Sequence, residues 1–118
     1  MVVGQRERIR VDRLFGALSD ATRRDIVMRT MQDEYSVSAL ARLYPMSFAA
    51  VQKHVAVLEE ARLVSKRRRG REQLVRGNVD AVREANYLLE QFEAMWRDRL
   101  DRFGKVIAQA RRQKGAAR

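Results

Sequence analysis

Pro45 is the only proline among 118 residues, and it stands between two helical patterns that cannot be a single helix. Proline lacks an amide hydrogen, clashes with the preceding helical turn and drives the residue before it, here Tyr44, toward extended backbone. Upstream, Ser36 is a good N-cap for a short helix carrying Val37, Leu40, Ala41 and Leu43. Downstream, Ser47 caps a second helix that runs to about Ala61, with Val51, Val55 and Leu58 at i, i+4 and i+7 as its buried stripe. Off that stripe lie Phe48, Ala49, Gln52, Lys53 and Ala56, a free face that is small and polar for an exposed helix.

A basic ribbon follows at once. Leu63 and Val64 open a strand, Gln73, Leu74 and Val75 lie on its partner, and Gly70 marks the reversal between them. Lys66, Arg67, Arg68, Arg69 and Arg71 surround that glycine, with Glu72 alone opposing them in this stretch. A solvated turn needs one or two charges, whereas five clustered cations repel one another and are favourable beside an anion such as a phosphate backbone. Taken alone, the helix pair is compatible with an ordinary helical hairpin, and the ribbon with a solubilising loop. Together they outline a winged helix-turn-helix, whose second helix enters a major groove while the wing grips phosphates. On this reading Ser47 and Gln52 hydrogen-bond bases or phosphates, and Lys53 reaches a phosphate or a guanine edge. His54, the only histidine, lies beside the core stripe as a hydrogen-bonding or packing residue at the DNA-proximal surface.

The flanking segments read as helix too. Val11, Leu14, Phe15 and Leu18 give a first helix over about residues 6–18; Ser19 and Asp20 interrupt it. Asp20 then caps a helix through about Gln32, with Ile26, Val27 and Met31 as its apolar face and Arg23 and Arg24 opposite. Gly77 and Asn78 close the ribbon, and no glycine or proline intervenes between Val79 and Phe103 in the last helix. At ~1.5 Å per residue, a helix of this kind outgrows the small domain beneath it. Ala85, Leu89, Phe92, Trp96, Leu100, Phe103, Ile107 and Ala110 recur in steps of four and three, a coiled-coil-like seam. Part of it has room on the chain's own core, but the whole length packs more naturally against a second copy. A two-fold dimer presents its recognition helices ~34 Å apart and requires an inverted-repeat site. The acidic residues of this helix read as a solvated face with i, i+4 partners, Glu93 with Arg97 among them. The expected organisation is one mainly α domain over 1–118, with a core at about 6–78 and a dimerisation helix at about 79–113; residues 113–118 are expected to fray.

Hydrophobic content of 46% supports a folded chain, and a net charge of +10 favours a polyanionic partner, nucleic acid before membrane. There is no cysteine, so disulfides, thiolate metal sites and thiol redox sensing have no residue to act through. One imidazole cannot build a structural zinc site. No run reaches the ~20 apolar residues of a membrane span, and the N-terminal stretch has no signal-peptide core, so a cytoplasmic, nucleoid-associated protein without a cofactor is expected. No phosphate loop, nucleophile elbow or paired histidines suggest an enzyme.

LSDATRRDIV at 18–27, VSALARL at 37–43, MSFAAVQKHVAVLEEARLVSKRRRGREQLV at 46–75 and WRDRLDRF at 96–103 resemble ArsR-type bacterial winged-helix repressors. The likeness covers nearly the whole chain, and its most specific part runs from Ser47 through the wing. It implies a homodimer that binds an operator and represses transcription. By position, the family's DNA-reading residues fall on Ser47, Phe48, Ala49, Gln52, Lys53 and His54, and its wing contacts on 67–71 with Lys66 beside them. Its dimer contacts fall on the first helix, Leu14 among them, and on Phe92, Trp96, Leu100 and Phe103, flanked by Leu89 and Ile107. The metal-sensing branch carries cysteines within a motif aligned with SVSALAR, or histidines and acids on the last helix; this chain has neither set, nor the cysteine pair of persulfide-sensing relatives. Relief of repression is left to an apolar ligand at the dimer interface, a protein partner or expression level. Two rival classes share the charge: a sequence-indifferent nucleic-acid binder, and a protein-interaction module working through its long helix.

Overall fold

A computed structural model describes residues 4–116. In chain order its elements are α1 Gln5–Ala17, α2 Ala21–Gln32, β1 Tyr35–Ser36, α3 Val37–Ala41, α4 Phe48–Glu60, β2 Val64–Arg69, β3 Glu72–Gly77 and α5 Val79–Ala116. The chain divides into two compact units within α5, between Ala85 and Asn86.

Three of the expected caps close as the side-chain chemistry dictates. The Asp20 carboxylate accepts from the Arg23 amide (3.0 Å), Ser36 Oγ from Ala39 (3.0 Å) and Ser47 Oγ from Ala50 (3.1 Å), each satisfying an amide that its helix leaves unpaired. Arg23 and Arg24 do not merely face solvent, as the periodicity of α2 suggested. Arg23 donates to the carbonyls of Ala17 (2.8 Å) and Gly16 (3.2 Å), and Arg24 to that of Leu18 (2.9 Å). These two cations cap the carbonyl end of α1, where the helix dipole favours positive charge.

The core of the first unit gathers Leu14 and Ala17 of α1, Ile26 and Val27 of α2, Leu40 of α3, the stripe Val51, Val55 and Leu58 of α4, and Val64 and Val75 of the sheet. Leu14, expected at the dimer interface, is only 3% exposed there and packs in the core of its own unit. Met31 and Leu43, expected on apolar faces, are exposed; Thr30 is buried in place of Met31 and donates its hydroxyl back to the Ile26 carbonyl (2.7 Å). Leu43 is turned out because α3 ends at Ala41 and the chain reverses through a Leu43-to-Leu40 hydrogen bond (3.0 Å). Ala81 and Ala85 at the start of α5 join this core, so Ala85 is packed inward and is not the first residue of a free seam.

The ribbon gains a strand that periodicity could not reveal. Two residues, Tyr35 and Ser36, pair antiparallel with Val75 and Leu74, giving a three-stranded sheet in the order β1-β3-β2. At Gly70 the backbone is left-handed (φ 61°), the conformation a tight reversal needs. Arg62 adopts the same φ just after α4, where its amide bonds Glu59 and the Leu63 amide bonds the Leu58 carbonyl, both at 3.0 Å. That is a helix stop at which glycine is usual.

The second unit is the remainder of α5. Among its described side chains nearly all are exposed, and Glu93 and Arg97 form the expected i, i+4 pair. The guanidinium of Arg99 lies over the Trp96 ring, 5.7 Å from its centroid. Residues 113–116, expected to fray, are helical, and 117–118 lie outside the described residues. Among the described residues no helix is long and apolar enough to cross a membrane.

Gly77 ends β3 directly against α2: a Cβ there would meet Met31 Sδ at 2.7 Å and Met31 Cα at 3.0 Å. The thioether has room to swing away, but the backbone does not. Gly77→Ala is expected to destabilise the protein by about 1–3 kcal/mol in urea unfolding, as overpacking does; an unchanged midpoint would mean that α2 and the sheet separate without cost.

Candidate nucleic-acid interface

The free face of α4 is open as its spacing predicts. Ser47, Phe48, Ala49, Gln52 and Lys53 are all exposed, while Val51, Val55 and Leu58 are not. Ser47 is already committed as the cap of α4, but an Oγ that accepts from Ala50 still has its own proton to donate to a phosphate oxygen. His54 is set back from this face. Its Nδ1 accepts from the Arg23 guanidinium (3.3 Å) and lies 3.9 Å from the Asp20 carboxylate, so it braces α4 against the α1–α2 corner. Asp20 itself is held below the usual carboxylate range, first by the Arg23 backbone amide it accepts from.

The angle of α4 is set from its N-terminal side. Tyr44, in the break before α4, donates its phenol to Asp25 on α2 (2.5 Å), and the same carboxylate oxygen accepts from Arg29 Nε (2.8 Å). The break is thereby tied to α2 by a side chain that the sequence marked only as the residue before proline.

The wing is more compensated than its sequence suggests. Arg67 makes a two-pronged bond to Glu34 (3.0 and 3.1 Å), and Lys66 lies 3.4 Å from Glu59. Glu72 is therefore not the only carboxylate opposing the five cations. Glu34 arrives through the short β1 pairing and Glu59 through the end of α4, neither of them visible as neighbours in the chain. Among the described residues, Arg68, Arg69 and Arg71 have no carboxylate within ion-pair distance; Arg68 Nε instead donates to the Gly70 carbonyl across the turn (3.2 Å).

Helix and wing meet around one cleft of about 280 Å³, lined by Phe48 and Gln52 of α4, Lys66, Arg71, Glu72 and Gln73 of the ribbon, and Ser36 and Ser38 at the start of α3. The structure thus unites two features that are separate in the chain, and it adds Ser36, Ser38 and Gln73. Ser36 announces itself as a cap; for Ser38 and Gln73 the sequence carries no signal. Leu89, Phe92, Trp96, Leu100, Phe103 and Ile107 belong to the second unit, where each is exposed, Trp96 at 54%.

No protein-family model matches the chain. It is 48% identical over 59 residues to an HTH-type transcriptional regulator, Rv2034, of Mycobacterium tuberculosis; the match covers 50% of the chain and 55% of that curated relative, so it spans about half the relative's length. Among solved structures, an ArsR-like transcriptional regulator from Rhodococcus sp. RHA1 is 30% identical with a TM-score of 0.74, over 84% of this chain and 93% of that one. The solution structure of a homodimeric winged helix-turn-helix DNA-binding domain from Mycobacterium bovis, described as a possible ArsR-family transcriptional regulator, is 26% identical with a TM-score of 0.60, over 80% and 89%.

The Tyr44–Asp25 tie has a pH signature. Asp25 is held below the carboxylate range, by the Tyr44 phenol first and Arg29 second, while Tyr44 is pushed up to about 12, by burial first and Asp25 second. The folded protein therefore binds the Asp25 proton more weakly, and the Tyr44 proton more tightly, than the unfolded chain does. The tie stabilises fully above the ordinary carboxylate range and below the ordinary phenol value; it is lost in acid below that range, or as pH rises through about 12. Tyr44→Phe is expected to cost about 1 kcal/mol at neutral pH and to lower Tm by about 4 °C. The difference should shrink in acid as Asp25 protonates, and a pH-independent difference would show that packing, not the hydrogen bond, is what was lost.

Proposed function

The chain belongs to the ArsR family of winged helix-turn-helix transcriptional regulators, and on that premise we propose that it is a homodimeric repressor that occupies an inverted-repeat operator in double-stranded DNA. The observation that carries the reading is the cleft in which the open, polar face of α4 adjoins a cationic ribbon. A helix in the major groove places Gln52 and Lys53 at base edges, while Arg68, Arg69 and Arg71 take phosphates from the wing. Repression is then steric: the dimer covers DNA that a polymerase needs. Dimerisation is supported by the exposed apolar series from Leu89 to Ile107 on α5, and by a neighbour that is itself described as homodimeric. In this sequence there is no cysteine for a thiolate sensor, so an effector would act through other chemistry, as a small molecule or a protein.

Selection from random duplex DNA at ~0.15 M salt tests the whole reading. Enrichment of an inverted repeat with half-sites one helical turn or a multiple apart is the expected result. Binding without enrichment would favour a sequence-indifferent binder, and no retention would favour a protein-interaction module.

On the selected site, Gln52→Ala should weaken specific binding about tenfold and leave binding to unrelated duplex nearly unchanged. Replacing Arg68, Arg69 and Arg71 by Ala should weaken all duplexes and reduce the log–log salt slope by about 3. Equal losses in both experiments would refute this division of labour. Trp96→Glu should give a monomer in sedimentation and lower operator affinity by about 100-fold or more, since the second half-site then binds independently. A dimer that survives this change would move the interface off α5.

A further inference from the structure

We infer that Arg67 is not a phosphate contact but a positioning residue: with Glu34 it forms a latch that anchors the middle of the wing to the segment following α2 and so sets where the wing tip points. The inference rests on the DNA-binding reading above and divides its wing into a holding part and a gripping part.

The geometry separates Arg67 from its neighbours. Its Nε and one terminal nitrogen donate to the two oxygens of Glu34 at 3.1 and 3.0 Å, a fork-to-fork arrangement that fixes the guanidinium plane as well as its position. Glu34 is the more sheltered partner, its side chain 27% exposed against 61% for Arg67. It immediately precedes Tyr35, which pairs with Val75, while Arg67 pairs with Leu74. The bond therefore reaches across β3 and joins the two outer strands of the sheet. A two-residue strand such as β1 holds a sheet edge weakly by its backbone alone, and a two-stranded ribbon is marginal in water. A side-chain link across the middle strand supplies what the short β1 lacks.

The same face supplies an electrostatic reason for Arg67 to stay where it is. Residues directly opposite in an antiparallel pair share a face, so Arg67, Arg69 and Arg76 line one side of the ribbon together with Glu72, and Lys66 and Arg68 the other. Glu34 sits under the first group. Its carboxyl is held below the usual range by the bond from Arg67 first, with the charges of Arg76 and Arg69 adding to it. Handing Arg67 to a phosphate would uncover that carboxylate beside a polyanion. Keeping the pair closed removes the repulsion and leaves Arg68, Arg69 and Arg71 to approach the backbone. Phosphate gripping thus belongs to the tip and to the face toward α4, and Arg67 to the anchorage of the ribbon.

Charge exchange decides the matter. Wild type, Arg67→Glu, Glu34→Arg, Glu34→Gln and the double exchange Glu34→Arg/Arg67→Glu are titrated against the selected duplex across a range of salt, and backbone hydrogen exchange is measured over 64–77 in the same proteins without DNA. Arg67→Glu alone should weaken binding about tenfold or more, and the double exchange should recover it to within about threefold with the wild-type salt slope. Glu34→Gln should also weaken binding, and the single variants should exchange faster in the ribbon than wild type or the double exchange. If the double exchange stays as weak as Arg67→Glu, Arg67 contacts phosphate and the latch is wrong. If Glu34→Gln binds more tightly with a steeper slope, Glu34 is a competitor for Arg67 and the latch is again wrong. Should wild type bind no duplex at all, the DNA-binding reading fails by itself, and hydrogen exchange still judges the latch: equal ribbon exchange in the single variants and wild type overturns it.

Discussion

The burial of one stripe on α4 is the constraint on which the rest of the first unit depends. Val51, Val55 and Leu58 are packed out of water against Ile26 and Leu40, and each fully buried aliphatic side chain stabilises by about 1.5–3 kcal/mol. Because the period of a helix is 3.6 residues, sinking that stripe necessarily turns Phe48, Ala49, Gln52 and Lys53 outward. The open face is thus a by-product of the core. A polar substitution in the stripe would threaten the fold before it threatened the surface, whereas the exposed positions are free to be selected for what they touch.

Apolar packing fixes the rotation of α4 but not its tilt or its ends, and the polar ties do that. Tyr44 to Asp25 holds the break on α2, Arg23 to His54 holds the middle of α4 at the α1–α2 corner, and the Ser47 cap fixes where α4 begins. The first two ties span elements that are distant in sequence, and the cap is local to the start of α4. Such bonds add little net stability apiece but are directional, which apolar contact is not. On the proposed reading, a surface that matches the spacing of base edges needs that directionality. The wing repeats the pattern, with compensated cations at its base and uncompensated ones at its tip.

Family membership and the winged helix-turn-helix architecture give this arrangement its use, and the apolar series on α5 gives it a partner in the proposed repressor. Leu89, Phe92, Trp96, Leu100, Phe103 and Ile107 are exposed in a single chain, and covering them with a second copy would remove a large apolar area from water. Leu14, assigned by position to the same interface, is already spent on its own core.

Local chemistry was legible in the sequence. The lone proline, the three caps, the stripe of α4, the turn at Gly70 and the Glu93–Arg97 pair each follow from neighbours within a few residues, so spacing alone determines them. The two-residue strand β1, the Glu34–Arg67 and Lys66–Glu59 pairs, the capping of α1 by Arg23 and Arg24, and the exchange of Met31 for Thr30 in the core were decided only by the tertiary structure. Periodicity reports which face of an element is apolar. It does not report which distant carboxylate or carbonyl that face's charges will meet, because such pairing is set by the order and angle in which the elements pack. Sequence thus decided that a polar helix and a basic ribbon exist; the fold decided that they share one cleft and which of the ribbon's cations meet a carboxylate.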